Sequence, residues 1–189
     1  MKNILKLLMF SSAFFILFTL SASAATFAPK LVGIYDIKGD SAEEIFVDGN
    51  YAYVADYSDI LQIVDISTPA SPKLIGTYNI SGTVDGPGSV MDVAVAGRYA
   101  YLATQINGLL ILDVSNPKTP VLVGQYKAPF IDVERIVVSG DYVYSTPLYN
   151  NLASCIFYIS NPKDPILVSI MNIASNSVDF YAQGNYVYI

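Results

Sequence analysis

From residue 42 onward, apolar residues fall in short runs, and no 3.6-residue period is sustained. The first four runs are Ile45–Val47, Tyr51–Ala55, Leu61–Ile66 and Lys73–Asn79. They are rich in Val, Ile and Tyr and are bounded by Gly, Asn, Asp, Ser and Pro, which predicts β-strands and disfavours helical repeats. A period of two puts Tyr51 and Tyr53 on one face of the second strand, with Ala52 and Val54 on the other. Tyr99/Tyr101 with Ala100/Leu102, and Tyr142/Tyr144 with Val143/Ser145, repeat this arrangement. Both faces are apolar or small, as expected of a sheet stacked between two others.

The pattern recurs as a unit. Asp48–Gly76 (DGNYAYVADYSDILQIVDISTPASPKLIG) returns at Ala96–Gly124 as AGRYAYLATQINGLLILDVSNPKTPVLVG, and in more divergent form at Ser139–Ser169. A further copy opens at Gln183 with QGNYVYI. Gly49, Gly97, Gly140 and Gly184 mark steps of 48, 43 and 44 residues. Four strands per repeat of roughly 45 residues is the layout of a β-propeller blade, whereas β-helix rungs are far shorter. The predicted fold is therefore all-β: a partial β-propeller of four-stranded antiparallel blades, with about three and a half repeats. Blades are expected at about 42–80, 90–127 and 133–173, with a partial blade at 178–189. Leu31–Ile37 (LVGIYDI) matches Leu74–Ile80 and Leu122–Lys127, so it is expected to be the outermost strand of a closing blade. Closure takes at least four blades and often six to eight, or about 270–360 residues, so the chain is expected to be a fragment.

Residues 1–24 stand apart from this pattern. Lys2 and Lys6 precede the apolar run Leu7–Leu20, and Ala22-Ser23-Ala24 offers a cleavage site, which together predict a secretory signal peptide. The propeller domain then spans 25–189, and the protein is expected to be secreted, periplasmic or at the cell surface. Without Lys2 and Lys6, eight basic residues face sixteen acidic ones, a net charge of −8. That balance, with no Lys/Arg cluster, argues against nucleic acid and anionic membranes as partners beyond the signal peptide itself. Cys155 is the one cysteine; it lies in an apolar run and is expected to be a packed core thiol.

The punctuation is equally regular. Gly49-Asn50, Gly97-Arg98 and Gly140-Asp141 suit tight hairpins between first and second strands, where positive φ is needed. Ser67–Pro72, Ser115–Pro120 and Ser160–Pro165 share a Ser-x-Pro-x-x-Pro turn linking third and fourth strands. Leu61–Ser67 (LQIVDIS) and Leu109–Ser115 (LLILDVS), each preceded by Gly-x-Tyr-x-Tyr and followed by Pro-x-x-Pro, resemble the LVIVD-repeat family over nearly all of residues 30–189. The resemblance implies a secreted or surface-associated β-propeller of bacterial or archaeal type, and it supplies no catalytic residue. The third copy departs from the pattern, with Tyr158 where Asp65 and Asp113 stand.

Candidate chemistry is sparse. The chain has no histidine and no tryptophan, which removes the commonest general base and zinc ligand and any indole platform. Gly86-Pro87-Gly88 lacks the following helix that a phosphate loop requires and reads as a turn. Glu44, Asp92 and Asp179 stand five residues before the marker glycines, with Arg135 in the same slot of the third copy and Glu134 beside it. In a ring these groups would circle one mouth of the axial channel. Glu44, Asp92 and Asp179 are the candidate ligands for calcium or another divalent cation. The competing reading is that each carboxylate accepts backbone hydrogen bonds where strands meet, or pairs with Arg135. Asp65 and Asp113 are expected to bond turn amides. No other cofactor is expected.

The loops between second and third strands differ among copies: Asp56–Ile60, Thr104–Gly108 and the longer Thr146–Ser154. Those entering the first strands (Lys38–Ala42, Ser81–Val90, Ala128–Asp132, Asn172–Ser177) emerge on the same face. Variable loops on a repeated scaffold are where binding resides. Asp56, Tyr57, Asp59, Gln105, Asn107, Tyr149 and Asn150 are the candidate ligand-face residues. The reading is a non-enzymatic extracellular recognition or scaffold protein for a protein or cell-envelope ligand. The alternatives are a structural surface-layer or adhesion component, and a metal-dependent hydrolase or lyase using the axial carboxylates.

Overall fold

The computed structural model describes residues 30–37, 41–81, 89–104, 107–127, 133–146, 154–171, 180–184 and 186–188. Val32–Ile189 form one compact unit, to which every described strand belongs. The first sheet runs β1 (Ala42–Asp48), β2 (Tyr51–Asp56), β3 (Ile60–Asp65) and β4 (Lys73–Asn79), each strand paired antiparallel with the next. The second is β5 (Val90–Ala96), β6 (Tyr99–Thr104), β7 (Gly108–Asp113) and β8 (Val121–Tyr126). The third is β9 (Arg135–Ser139), β10 (Tyr142–Thr146), β11 (Ser154–Tyr158) and β12 (Ile166–Met171). A two-stranded sheet, β13 (Tyr181–Gln183) with β14 (Tyr186–Tyr188), follows. The described residues contain no helix, and the architecture is that of an open propeller-like array of blades.

The hairpin glycines explain the tight first connection. Gly49, Gly97, Gly140 and Gly184 all take φ between 56° and 61°, a conformation side-chain-bearing residues rarely adopt. After the third strand, Asp65 Oδ1 accepts the Ser67 N–H and Asp113 Oδ1 accepts the Ser115 N–H, both at 2.9 Å. These bonds start the proline turn, as expected. Tyr158 offers no such acceptor; its ring instead meets that of Tyr142 at 5.4 Å between centroids.

The core lies between blades. Tyr53, Ala55, Leu61 and Ile63 of the first blade pack on Val93, Val95, Ala100, Leu102 and Leu112 of the second. Tyr101, Ala103, Leu109 and Ile111 of the second pack on Ile136, Val143, Cys155 and Phe157 of the third. The tyrosine-bearing face of each blade thus meets the small-residue face of the next. Cys155 is buried in this second junction, and its burial pushes the thiol up, away from reactivity.

Gly76 and Gly124 set how closely outer strands approach the following blade. A Cβ on Gly76 would collide with the carbonyl oxygen of Pro117, and one on Gly124 with that of Pro162. Gly33 stands in the same relation to Pro69. Tyr35 and Ile37 pack against Ala52, Val54 and Val64 on the outer face of the first blade. Residues 33–37 therefore occupy the place of a preceding blade's fourth strand, yet they form no strand. The physical reason is pairing: β4 and β8 are held by β3 and β7, and among the described residues no third strand lies beside residues 33–37.

Candidate functional site

The innermost strands β1, β5 and β9 surround a cavity of about 540 Å³ lined by Glu44, Phe46, Asp92, Arg135, Val137 and Phe180 among others. Such a volume lies within the usual range for small-ligand sites. Glu44, Asp92 and Arg135 come together because each opens an innermost strand at the same point of the repeat.

Asp92 is almost fully buried. Its Oδ1 accepts the Val93 N–H at 2.6 Å and its Oδ2 accepts the Ile136 N–H at 2.8 Å, tying β5 to β9. Burial is the largest influence on its carboxyl and pushes the pKa up to about 7. The two amide bonds and the Arg135 charge pull it down, while the Glu44 charge raises it. Arg135 Nη1 donates to Glu44 Oε2 at 2.6 Å, linking first and third blades, and Glu44 Oε1 accepts the Ile45 N–H at 3.1 Å. Arg135 Nε finds no partner among the described residues.

Backbone capture for Asp92 and ion pairing for Glu44 match the structural reading of this slot. Of the three candidate cation ligands, Glu44 and Asp92 are described and Asp179 lies outside the described residues. Among the described residues no three His, Cys, Asp or Glu side chains gather as a metal group would need. Glu134 points into the protein and is buried beside Arg135.

The loop-face residues divide. Tyr57 is half exposed at the tip of the turn after β2. Asp59 adopts φ of 66° and accepts a hydrogen bond from Ser81 Oγ at 2.6 Å. Gln105, Tyr149 and Asn150 lie outside the described residues. Two expectations are corrected. Asp56 is fully buried, with Oδ1 accepting the Ser58 N–H and Oδ2 accepting Gln62 Nε2, both at 2.9 Å, so it builds the loop and does not face solvent. Asn107 is also fully buried, and neither its amide nitrogen nor its amide oxygen has a partner among the described residues.

Sequence reasoning missed the chain of contacts in which Tyr35 Oη donates to Gln62 Oε1 at 3.2 Å and Gln62 in turn holds Asp56. A signal existed. Gln62 interrupts an apolar third strand where the other blades place Leu110 and Cys155, and Asp56 stands where the second blade has Thr104.

Comparison with known proteins agrees with this geometry. The family model described as the LVIVD repeat matches residues 39–80, 87–128 and 132–173, one match per four-stranded sheet. No curated protein matches. Among solved structures, the computationally designed Ika4 protein is similar, with a TM-score of 0.62 at 10% identity. That match covers 85% of this chain and 90% of the designed one, and it supports the fold alone.

Proposed function

Because this chain belongs to the LVIVD repeat family, we propose that it is a non-enzymatic recognition scaffold, exported from the cell, which binds a protein or cell-envelope ligand. The binding face is the one where the axial cavity opens among the loops. The carrying observation is the division of labour at that mouth. Asp92 and Glu44 are engaged by amides and by Arg135, so they fix the blades, while the phenol of Tyr57 projects from the adjoining loop. Aromatic side chains on loops of a rigid frame are efficient recognition elements.

Sedimentation of the purified protein with isolated cell-envelope material tests this reading. The wild type is expected to co-sediment, and Tyr57→Ala to weaken binding at least several-fold with an unchanged melting temperature. No retention of the wild type, or full retention of the variant, would remove the loop face from consideration.

A further inference from the structure

Where β4 ends, the chain reads Asn79-Ile80-Ser81, the one Asn-x-Ser/Thr triplet in the sequence. Such a triplet is the acceptor for an N-linked glycan when it lies at the surface of an exported protein. Neither Asn116 nor Asn161 offers the motif, since each is followed by Pro-Lys, and their side chains serve the proline turns. Asn107 is fully buried and is followed by Gly-Leu.

The fold presents Asn79 by pinning its neighbours. Ile80 is fully buried in the core of the first junction, and its N–H donates to the Asp59 carbonyl at 2.9 Å. Asn79 and Ser81, on either side of it, are exposed. Asn79 Oδ1 accepts the Ser81 N–H at 2.7 Å, and Ser81 Oγ donates to Asp59 Oδ2 at 2.6 Å. Asn79 Nδ2 is left over: it makes no hydrogen bond among the described residues. The exposure belongs to the position. Lys127 stands at the same point of the second blade, which has a sheet packed on each face, and it is exposed as well.

We propose that Asn79 is a glycosylation site carrying an N-linked oligosaccharide. The proposal rests on the export part of the functional reading, because a transferring enzyme meets its acceptor outside the cytoplasm. Asn79 Nδ2 attacks the anomeric carbon of an oligosaccharide carried on a lipid diphosphate. A C–N bond forms, the C–O bond to the diphosphate breaks, the lipid diphosphate departs with that electron pair, and the nitrogen gives up one proton. The amide oxygen is unchanged, so it accepts the Ser81 N–H in the modified protein as it does here. The sugar projects beside the turn that carries Tyr57 and Asp59, along one edge of the loop face.

Peptide mapping of the full chain, made with its own signal segment in its source cells, tests the proposal. Trypsin releases residues 74–98 as one peptide, since Lys73 and Arg98 are successive basic residues. Fragmentation that spares side-chain bonds is expected to place saccharide mass on Asn79. Asn79→Gln and Ser81→Ala are each expected to abolish that mass, and Ser81→Thr to retain it. A bare 74–98 peptide in wild-type protein that begins after Ala24 overturns the glycan alone and leaves export standing. Protein that keeps residues 1–24 and stays inside the cell overturns both readings. Saccharide persisting in Ser81→Ala, or lost in Ser81→Thr, also refutes the assignment. The wild-type peptide decides by itself if a variant melts early.

Discussion

Asp92 shows how much a single side chain can hold and how it should respond to pH. Its carboxyl stands at about 7 in the fold, against roughly 3.9 in an unfolded chain. Between these values the folded protein binds the proton more tightly. The stability this lends is fully present below about pH 4 and is lost as pH rises through 7, an effect on the order of a few kcal/mol. Asn is neutral at every pH, but it can accept only one of the two amide bonds from Val93 and Ile136. Asp92→Asn should therefore be less stable than the wild type at pH 5 by about 1–3 kcal/mol. The gap should close or reverse by pH 8, as the wild type bears the cost of an ionised buried carboxylate next to Glu44. Urea unfolding at both pH values checks this; parallel pH profiles would contradict it. The sequence made this slot legible by its spacing from the glycines. It could not reveal that Asp92 bonds across to the Ile136 amide or that Glu44 reaches Arg135, because those choices depend on inter-blade distances that no local pattern encodes.

Among elements, the strands and hairpins were readable because their determinants are local. β4 runs Lys73–Asn79 as the pattern implied, and all four marker glycines take the positive φ that the hairpin demands. Other features were hidden because they rest on contacts between repeats. Gly76 and Gly124 read in the sequence as ordinary strand glycines, yet each admits the proline-turn carbonyl of the following blade. Gly76→Ala should force that turn outward and destabilise the protein by about 1–3 kcal/mol, the usual cost of overpacking. Gly49→Ala acts differently: nothing crowds its Cβ, so only the backbone conformation is penalised. Thermal melts of the two variants, with amide exchange of the 115–120 turn, separate the mechanisms, because only Gly76→Ala should loosen that turn while leaving the 67–72 turn unchanged. Residues 33–37 illustrate the same limit. Their sequence is that of an outer strand, and their side chains take an outer strand's seat, but a strand also needs a ladder partner.

At the scale of the whole molecule, stability is carried by the two formed junctions, since each blade buries its faces against neighbours more than within itself. In such nearest-neighbour arrays, a unit covered on both sides resists opening more than one covered on a single side. Among the described residues, the second blade has a four-stranded sheet packed on each face: Leu102, Leu110 and Leu112 look toward the first blade, and Leu109 and Ile111 toward the third, all without solvent exposure. Its amides in β6 and β7 should exchange most slowly, and those of β13 and β14, with their tyrosine face in water, fastest among the strands. The two junctions also differ in how they should fail. Tyr53→Ala empties the first and Tyr101→Ala the second, each removing a large buried aromatic at about 3–5 kcal/mol. Tyr53→Ala should accelerate exchange in the first blade while β10 and β11 keep their protection. Tyr101→Ala should release the third blade and leave β2 and β3 protected. Equal acceleration in all three blades from either substitution would mean that the array unfolds as one cooperative body and that the Arg135–Glu44 link across the cavity couples first and third blades more tightly than packing alone.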